Sequence, residues 1–273
     1  MFLFVLFTVA LIFIPLFVLT RVFAALHAHT GAALGQFISE TVALGGVLGA
    51  TVLMARIERR SPLSYGLRDA QWRRRVALGT LWGLALMTLE MALLALCGSL
   101  RLQRPVLALG PALGYLVLWA YVFAATGMFE ELAFRGYPLV TLARSRLGFW
   151  GAAVLLSIIF GAVHGVNGGE ALVGEIAAGL FGFALIVSIR ATGSLWWAIG
   201  FHAGWDWTES YVWGVPDSGT TIPGTLLNAH LSGPVWLSGG TVGPEASVLV
   251  LVPLAALVWV ATRERRERSA AAA

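Results

Sequence analysis

Long apolar runs separated by short polar segments make up most of the chain. About eight of these runs approach the 20 or so residues that a membrane-spanning helix needs. The runs are 2–24, 36–55, 76–98, 106–127, 129–143 merging with 149–166, 171–190, 194–212 and 246–262. The pattern predicts an all-α polytopic membrane protein with about eight transmembrane helices, built as a single integral-membrane domain over 1–273.

Two features of the runs predict how the helices bend and pack. The stretch 106–143 is long for one span, and Pro138 within it lacks the N–H that would bond the carbonyl of Phe134, so a kink is expected there. Glycines also recur at four-residue spacing, which predicts close helix–helix contact. These pairs are Gly45 with Gly49, Gly79 with Gly83, Gly110 with Gly114, and Gly161 with Gly165.

Composition supports the membrane assignment. Hydrophobic residues make up 58% of the chain and charged residues only 12%, against about 25% charged in a typical soluble domain. The net charge is +4, and all 18 basic residues are arginine. They cluster between apolar runs, as topogenic signals do, so the bilayer is the expected partner and nucleic acid is not. Arginine as the sole base, beside abundant alanine and glycine, is associated with GC-rich bacterial genomes.

The arginine distribution also predicts an orientation. With both termini cytoplasmic, the connector 56–75, the turn at 144–146, Arg190 and the basic segment 263–268 all fall inside. Only Arg21, Arg101 and Arg104 then fall outside, in agreement with the positive-inside rule. We therefore expect a protein of the bacterial cytoplasmic membrane, with the loop 213–245 on the external side.

Glu130, Glu131 and Arg135 form the first polar cluster within an apolar run. A charge at bilayer depth is energetically unfavourable, so such residues are usually paired and functional. Glu131 and Arg135 are four residues apart and share a helix face. Glu130 is turned about 100° from Glu131 and lacks that partner, which makes it a candidate general base.

Two further clusters contain histidine. Glu131 lies 16 residues before Leu147 and His164 lies 17 residues after it. A helical hairpin turning at Leu147 would therefore place them at similar depth. His202 and Asp206 are four apart and share a helix face, where a carboxylate can orient an imidazole or share a metal with it.

Other polar residues have weaker signals. Glu209 is expected to be an interfacial charge. Glu40, Glu90 and Glu175 lie in apolar surroundings, where functional roles and helix-packing hydrogen bonds are equally compatible with the pattern. Asn167 and Glu170 follow His164 closely and are candidates for the mouth of a site.

The ordered motifs Glu-Glu-x-x-x-Arg at 130–135, Phe-x-x-x-His at 160–164 and His-x-x-x-Asp at 202–206 resemble those of the CPBP family. This family, also called ABI, comprises the CAAX prenyl proteases and the bacteriocin-processing enzymes, which are intramembrane glutamate- or metal-dependent peptidases. The segment from Ser61-Pro62-Leu63 to Gly66-Leu67 is also similar to a common family feature. The resemblance covers 60–212, with its motif core at 129–206.

The resemblance implies an intramembrane endopeptidase that hydrolyses a peptide bond in a membrane-associated peptide or protein. Glu130 would activate the attacking water, and His164 would help to bind or orient it. Glu131 and Arg135 would form the supporting ion pair, while His202 and the last motif residue would stabilise the oxyanion. Hydrolysis of a peptide needs a base for water and donors at the developing negative charge.

The last motif residue departs from the prenyl proteases, which carry Asn at the position of Asp206. Asn can donate a hydrogen bond to an oxyanion, whereas ionised Asp cannot. Asp206 could instead orient His202, be protonated, or ligate a metal. Histidine and carboxylate ligands suit Zn²⁺, so Glu130, His164, His202 and Asp206 are candidate ligands for a zinc cofactor.

Two non-proteolytic functions also fit the sequence. The first is a non-catalytic bacteriocin-immunity or membrane assembly protein that binds a partner on the same scaffold. The second is a transporter that uses the buried acids for proton coupling, although no sequence repeat divides the chain into two halves.

Overall fold

The computed structural model describes residues 1–25, 31–104, 107–165 and 172–271, with the side chains of residue 25 and of 264–271 left aside. The predicted all-α class is confirmed. The helices are α1 (Phe2–Ala25), α2 (Ala32–Ile57), α3 (Trp72–Leu96), α4 (Leu109–Gly114), α5 (Leu116–Glu131), α6 (Tyr137–Leu142), α7 (Gly148–His164), α8 (Leu172–Thr192), α9 (Leu195–Asp206), α10 (Val235–Ser238) and α11 (Leu251–Ala271). Short 3₁₀ turns occupy Pro62–Ser64, Pro244–Ala246 and Val248–Val250.

Each predicted apolar run forms a helix in the described part of the chain. Five stretches are long and apolar enough to cross a membrane: Phe2–Ala24, Ala32–Ile57, Trp72–Leu96, Leu109–Leu142 and Leu172–Thr192. Gly148–His164 and Val248–Arg263 are shorter apolar helices. Helix α9 is enclosed by the other helices and is buried along most of its length.

The stretch Leu109–Leu142 is one long helical rod with a break in its second half. Between α5 and α6 the chain forms a π turn over Leu132–Gly136. Pro138 is the second residue of α6, and Gly136, which precedes this helix, has ψ −110°, which is not a helical value. The predicted irregularity at Pro138 is therefore present, as a wide turn just before the proline.

Helices α3 and α9 approach closely through glycines. A Cβ on Gly79 or Gly83 of α3 would collide with the α9 backbone, and a Cβ on Gly200 or Gly204 would collide with the backbone of α3. The predicted packing role of Gly79 and Gly83 is thus confirmed. This close contact fixes the position of α9 along α3.

The other glycine pairs differ. Gly161 packs against the backbone of α8 as predicted. The predicted role of Gly45, Gly110 and Gly114 is wrong, because a Cβ at these positions meets no described atom within 4 Å. On α2, Gly46 lies against the backbone of α1, and the predicted Gly49 meets the Leu11 side chain of α1.

A cap covers one end of the bundle; we use this name for residues 214–247. Its strand β2 (Ala229–Leu231) pairs antiparallel with β1 (Leu100–Leu102), which follows α3. The two loops predicted to be external therefore lie at the same end of the molecule. Within the cap, the Gly219 N–H donates to the Val242 carbonyl at 2.7 Å, which brings its first and last segments together over the bundle.

Candidate active site

A buried ion pair lies at the junction of α5 and the π turn. Arg135 Nη1 donates to Glu131 Oε1 at 2.6 Å, and both side chains are buried. The Arg135 guanidinium carbon lies 4.1 Å from the centre of the Phe160 ring on α7, within the range of a cation–π contact. The predicted pairing of Glu131 with Arg135 is present, and it is sealed away from the cavity described below.

His202 on α9 shares the same glutamate. Its Nδ1 lies 2.9 Å from Glu131 Oε1, and because a carboxylate accepts, this nitrogen donates. The opposite ring nitrogen, Nε2, lies 3.7 Å from Glu130 Oε2 and 3.6 Å from Asp206 Oδ2. Both distances exceed that of a direct hydrogen bond. Nε2 therefore faces the two carboxylates and is hydrogen-bonded to neither.

The two neighbouring glutamates have different surroundings. The Glu131 side chain is fully buried, whereas 21% of the Glu130 side chain is exposed, and Glu130 lines the cavity. Adjacent positions on a helix point about 100° apart, so one carboxylate is turned to the ion pair and the other to open space. The two carboxylates thus lie in different surroundings, and their separate roles stay a prediction.

His164 ends α7, and Nδ1 is its one ring nitrogen with a hydrogen-bond partner among the described residues. Its Nδ1 lies 2.7 Å from the carbonyl oxygen of Phe160. A carbonyl only accepts, so Nδ1 carries the hydrogen and Nε2 of the neutral ring keeps its lone pair. His164 also lines the cavity, where Nε2 is available to accept from a water molecule.

A cavity of about 200 Å³ brings the predicted residues together. Glu130, His164, His202 and Asp206 all line it, although they come from three different helices. Glu131 and Arg135 are absent from this lining and lie behind it. The remaining wall comes from aromatic residues, from α2 and from the cap. These contributors include Phe160, Phe181, Trp205, Gln36, Glu40, Asp217, Ser218, Thr220 and Glu245.

A second, apolar groove leads from the helix surface to the same residues. It has a volume of about 560 Å³ and is lined by α1, the α5–α6 region and α7. Phe4, Ile12 and Phe13 belong to its apolar wall, and Glu130 and His164 also line it. The carboxylate and the histidine are therefore reached both from the polar cavity and from the apolar groove.

The predicted zinc ligands do not converge on one point in this geometry. Tetrahedral zinc with ligand bonds of about 2.0–2.2 Å needs ligand atoms roughly 3.5 Å apart. His202 Nε2 has Glu130 and Asp206 near that distance. However, among the described residues the only three His, Cys, Asp or Glu side chains whose ligand atoms all lie within 4.8 Å of one another are Asp206, Asp217 and Glu245. No three of the four predicted residues meet this distance criterion among the described residues, and the zinc cofactor stays a prediction.

Sequence reasoning misplaced one acid and missed two. Glu209 is not interfacial: it is fully buried, because α9 continues through a π turn (Trp207–Trp213) beneath the cap. Asp217 and Glu245 reach the cavity from the cap and belong to no recognisable motif. Asn167 and Glu170, predicted at the mouth, lie outside the described residues.

The fold and its cavity define a polytopic helical membrane protein with a polar site inside the bundle. Residues 111–208 match the family described as type II CAAX prenyl endopeptidase Rce1-like. The match supports the predicted resemblance to the CPBP family and a CAAX-type intramembrane endopeptidase in general, and it contains the whole motif core 129–206. No curated protein and no solved structure matches the chain.

Proposed function

We propose that the protein is an intramembrane endopeptidase that hydrolyses a peptide bond in a membrane-associated peptide or protein, with Glu130 as the base. The observation that carries this proposal is the contrast between the two glutamates. Glu131 is sealed in contact with Arg135 and His202, whereas Glu130 faces the cavity 3.7 Å from His202 Nε2.

Glu130 and His164 would position the attacking water. Glu130 accepts one proton of the water, while His164 Nε2, left free by the Nδ1 bond to Phe160, accepts from the other O–H. The water oxygen then attacks the peptide carbonyl carbon. Glu130 finally passes the proton to the leaving amine, so it acts first as base and then as acid.

His202 would stabilise the oxyanion that forms on the carbonyl oxygen. Its Nδ1 already donates to Glu131, so an Nε2–H toward the oxyanion requires the doubly protonated imidazolium. The Glu131 carboxylate lies between this imidazolium and the Arg135 guanidinium and stabilises both. Donors fixed in advance at the developing charge are among the strongest contributors to catalysis.

The apolar groove would hold the lipid-like part of the substrate. Its walls are mostly aromatic and aliphatic, and Glu130 and His164 also line it. A peptide carrying a prenyl group or an apolar segment could therefore lie in the groove with its scissile bond at the carboxylate. This substrate class agrees with the name of the matched family, type II CAAX prenyl endopeptidase.

The test is Glu130→Gln in purified protein reconstituted into liposomes. The probe is a quenched fluorescent peptide carrying a C-terminal farnesylcysteine motif, offered beside an unmodified apolar peptide. We expect Glu130→Gln to lower turnover by about 10²–10⁴-fold, the usual contribution of a general base, with an unchanged melting temperature. Glu175→Gln is the matched control, because Glu175 lines a different groove on α7 and α8.

Two outcomes would contradict the proposal. Undiminished turnover in Glu130→Gln would remove the assigned base. A biological activity that survives simultaneous substitution of Glu130, His164 and His202 would favour the non-catalytic binding protein instead.

A further inference from the structure

Three carboxylates from separate segments meet at the cap end of the cavity. Asp206 ends α9, Asp217 lies early in the cap, and Glu245 lies in the 3₁₀ turn Pro244–Ala246. One ligand oxygen from each lies within 4.8 Å of the other two. The cap is thus held against α9 at a point where three acidic groups face one another.

Glu209 provides an independent indication that a positive charge belongs here. It is fully buried, and neither of its carboxylate oxygens has a hydrogen-bond partner among the described residues. A Cβ on Gly243 would lie only 3.1 Å from Glu209 Oε1 and would also collide with the carbonyl of Pro216. The Glu209 carboxylate therefore points to the place where the segments carrying Asp217 and Glu245 meet.

Glu90 on α3 adds to the excess of buried carboxylates at this end of the bundle. It is also fully buried, and both of its oxygens lack a described partner. Glu245 and Asp217 act most strongly on Glu209 electrostatically, followed by Glu90 and Asp206. A buried charged carboxylate without a donor or a counter-charge is strongly destabilising, and a cation at the triad would reduce this for Glu209 and Glu90.

We propose that Asp206, Asp217 and Glu245 bind one Ca²⁺ ion at the cap. All three ligands are carboxylate oxygens, which select hard cations rather than zinc or copper. Oxygens on opposite sides of Ca²⁺ are about 4.6–5.2 Å apart, against about 4.0–4.2 Å for Mg²⁺. Mg²⁺ keeps several of its waters and is bound by one or two carboxylates, whereas Ca²⁺ takes several protein oxygens in a flexible geometry. Three carboxylates with one oxygen each within 4.8 Å of the others therefore favour Ca²⁺.

The cation explains why position 206 is an aspartate. Asp206 Oδ2 lies 3.6 Å from His202 Nε2, where an unbalanced carboxylate would repel a developing oxyanion. With Ca²⁺ bound, the charge of Asp206 is neutralised and the cap is fixed over the cavity. The catalytic part of this consequence rests on the proposed function, whereas binding of the ion does not.

The experiment uses the full chain in detergent, stripped with a chelator and titrated with CaCl₂. Radioactive calcium in equilibrium dialysis should show one saturable site per chain, with a dissociation constant of about 10⁻⁴–10⁻³ M, as for external calcium modules. Saturation should raise the melting temperature by about 3 °C or more. Asp217→Asn and Glu245→Gln should each weaken binding at least about tenfold, because ligand charge sets calcium affinity.

Glu175→Gln serves as the control and should bind calcium like the wild-type protein. The proposal is overturned by any of three results: no saturable calcium site up to about 10 mM, well above the external-module range, triad variants that bind as tightly as wild type, or Mg²⁺ binding as tightly as Ca²⁺. The melting temperatures of the calcium-free variants show that they are folded, so a loss of binding is not mistaken for unfolding.

The two proposals fail separately. If calcium binds at the triad and Glu130→Gln still cleaves peptides, the site stands and the proposed protease function falls. If Glu130→Gln is inactive and no calcium binds, the protease function stands and the cation site falls.

Discussion

His202 is anchored to Glu131 through a single oxygen: Nδ1 lies 2.9 Å from Glu131 Oε1, the atom that also accepts from Arg135. One carboxylate thus fixes both the tautomer of the histidine and the position of the guanidinium. Because all three side chains are buried, the arrangement has little water to compensate for a lost partner.

Glu131→Gln should therefore destabilise the protein as well as inactivate it. The change leaves the buried Arg135 without its counter-charge, and breaking a buried pair in this way typically lowers the unfolding free energy by about 3–5 kcal/mol. Unfolding titrations in mixed micelles measure the difference. Glu130→Gln is the matched comparison and should stay within about 0.5 kcal/mol of wild type, so equal losses in the two variants would contradict the division of roles.

His164→Asn should lower turnover by about 10²-fold or more and leave stability nearly unchanged. Its Nδ1 bond reaches only the Phe160 carbonyl one turn back on the same helix, so the fold depends little on it. The exposed His230 in β2 gives the control His230→Asn. Full activity of His164→Asn would show that the ring does not hold the water.

Glu58 predicts a pH dependence of stability near the predicted cytoplasmic end. Tyr137 Oη donates to Glu58 Oε1 at 2.7 Å and Tyr65 Oη donates to Oε2 at 2.9 Å, and these bonds, that of Tyr137 first, lower the pKa of Glu58 from its ordinary value of 4.5. Burial, followed by the bond to Glu58, raises the pKa of Tyr65 to about 12, so Tyr65 remains a donor at neutral pH.

A carboxyl with a lowered folded-state pKa stabilises the fold above its unfolded pKa, and this contribution is lost as pH falls through the folded value. Tyr137→Phe should thus reduce the unfolding free energy by about 1 kcal/mol at pH 7 and by less at pH 3. Tyr121→Phe removes a hydroxyl bonded to Thr41 at an exposed position and should show no such trend. A Tyr137→Phe deficit that is equal at both pH values would contradict the assignment.

Gly200→Ala should destabilise the bundle by about 1–3 kcal/mol and lower activity. The added methyl group would collide with the Val76 carbonyl, and backbone on a packed helix cannot move aside as a flexible side chain can. Because α9 carries His202, any displacement also moves the candidate active site. Gly110→Ala, whose methyl group meets no described atom within 4 Å, should be neutral, and melting temperatures with peptide cleavage measure both.

The predictions that held depend on periodicity and on local chemistry. An apolar run of sufficient length predicts a helix directly, and Pro138 lacks a backbone N–H in any surroundings. Glu131 and Arg135 form their ion pair although a π turn lies between them. The predictions that failed depend on which face a helix turns to its neighbours. Gly45 and Gly46 are adjacent in sequence, yet only Gly46 meets α1, and nothing in the local pattern distinguishes them.

The contacts of the cap could not be predicted from the sequence for a related reason. Glu209 follows the same stripe as His202, and its burial depends on a loop that returns from elsewhere in the chain. Asp217 and Glu245 lie 28 residues apart in segments rich in glycine and proline. These segments show no regular pattern of hydrophobic and polar positions from which a structure could be predicted. Their approach to Asp206 is a tertiary contact, and only the structure brings them together.

The pairing of β1 with β2 has a consequence for biosynthesis. Strand β1 can pair only after β2 has been synthesised. Glu245 likewise reaches the cavity only after α9 and most of the cap have been made. During membrane insertion, the glutamates and histidines of the candidate active site are therefore not yet brought together. The cavity is therefore complete only once the cap has been made, so Glu130, His164 and His202 enter the membrane before the candidate active site exists.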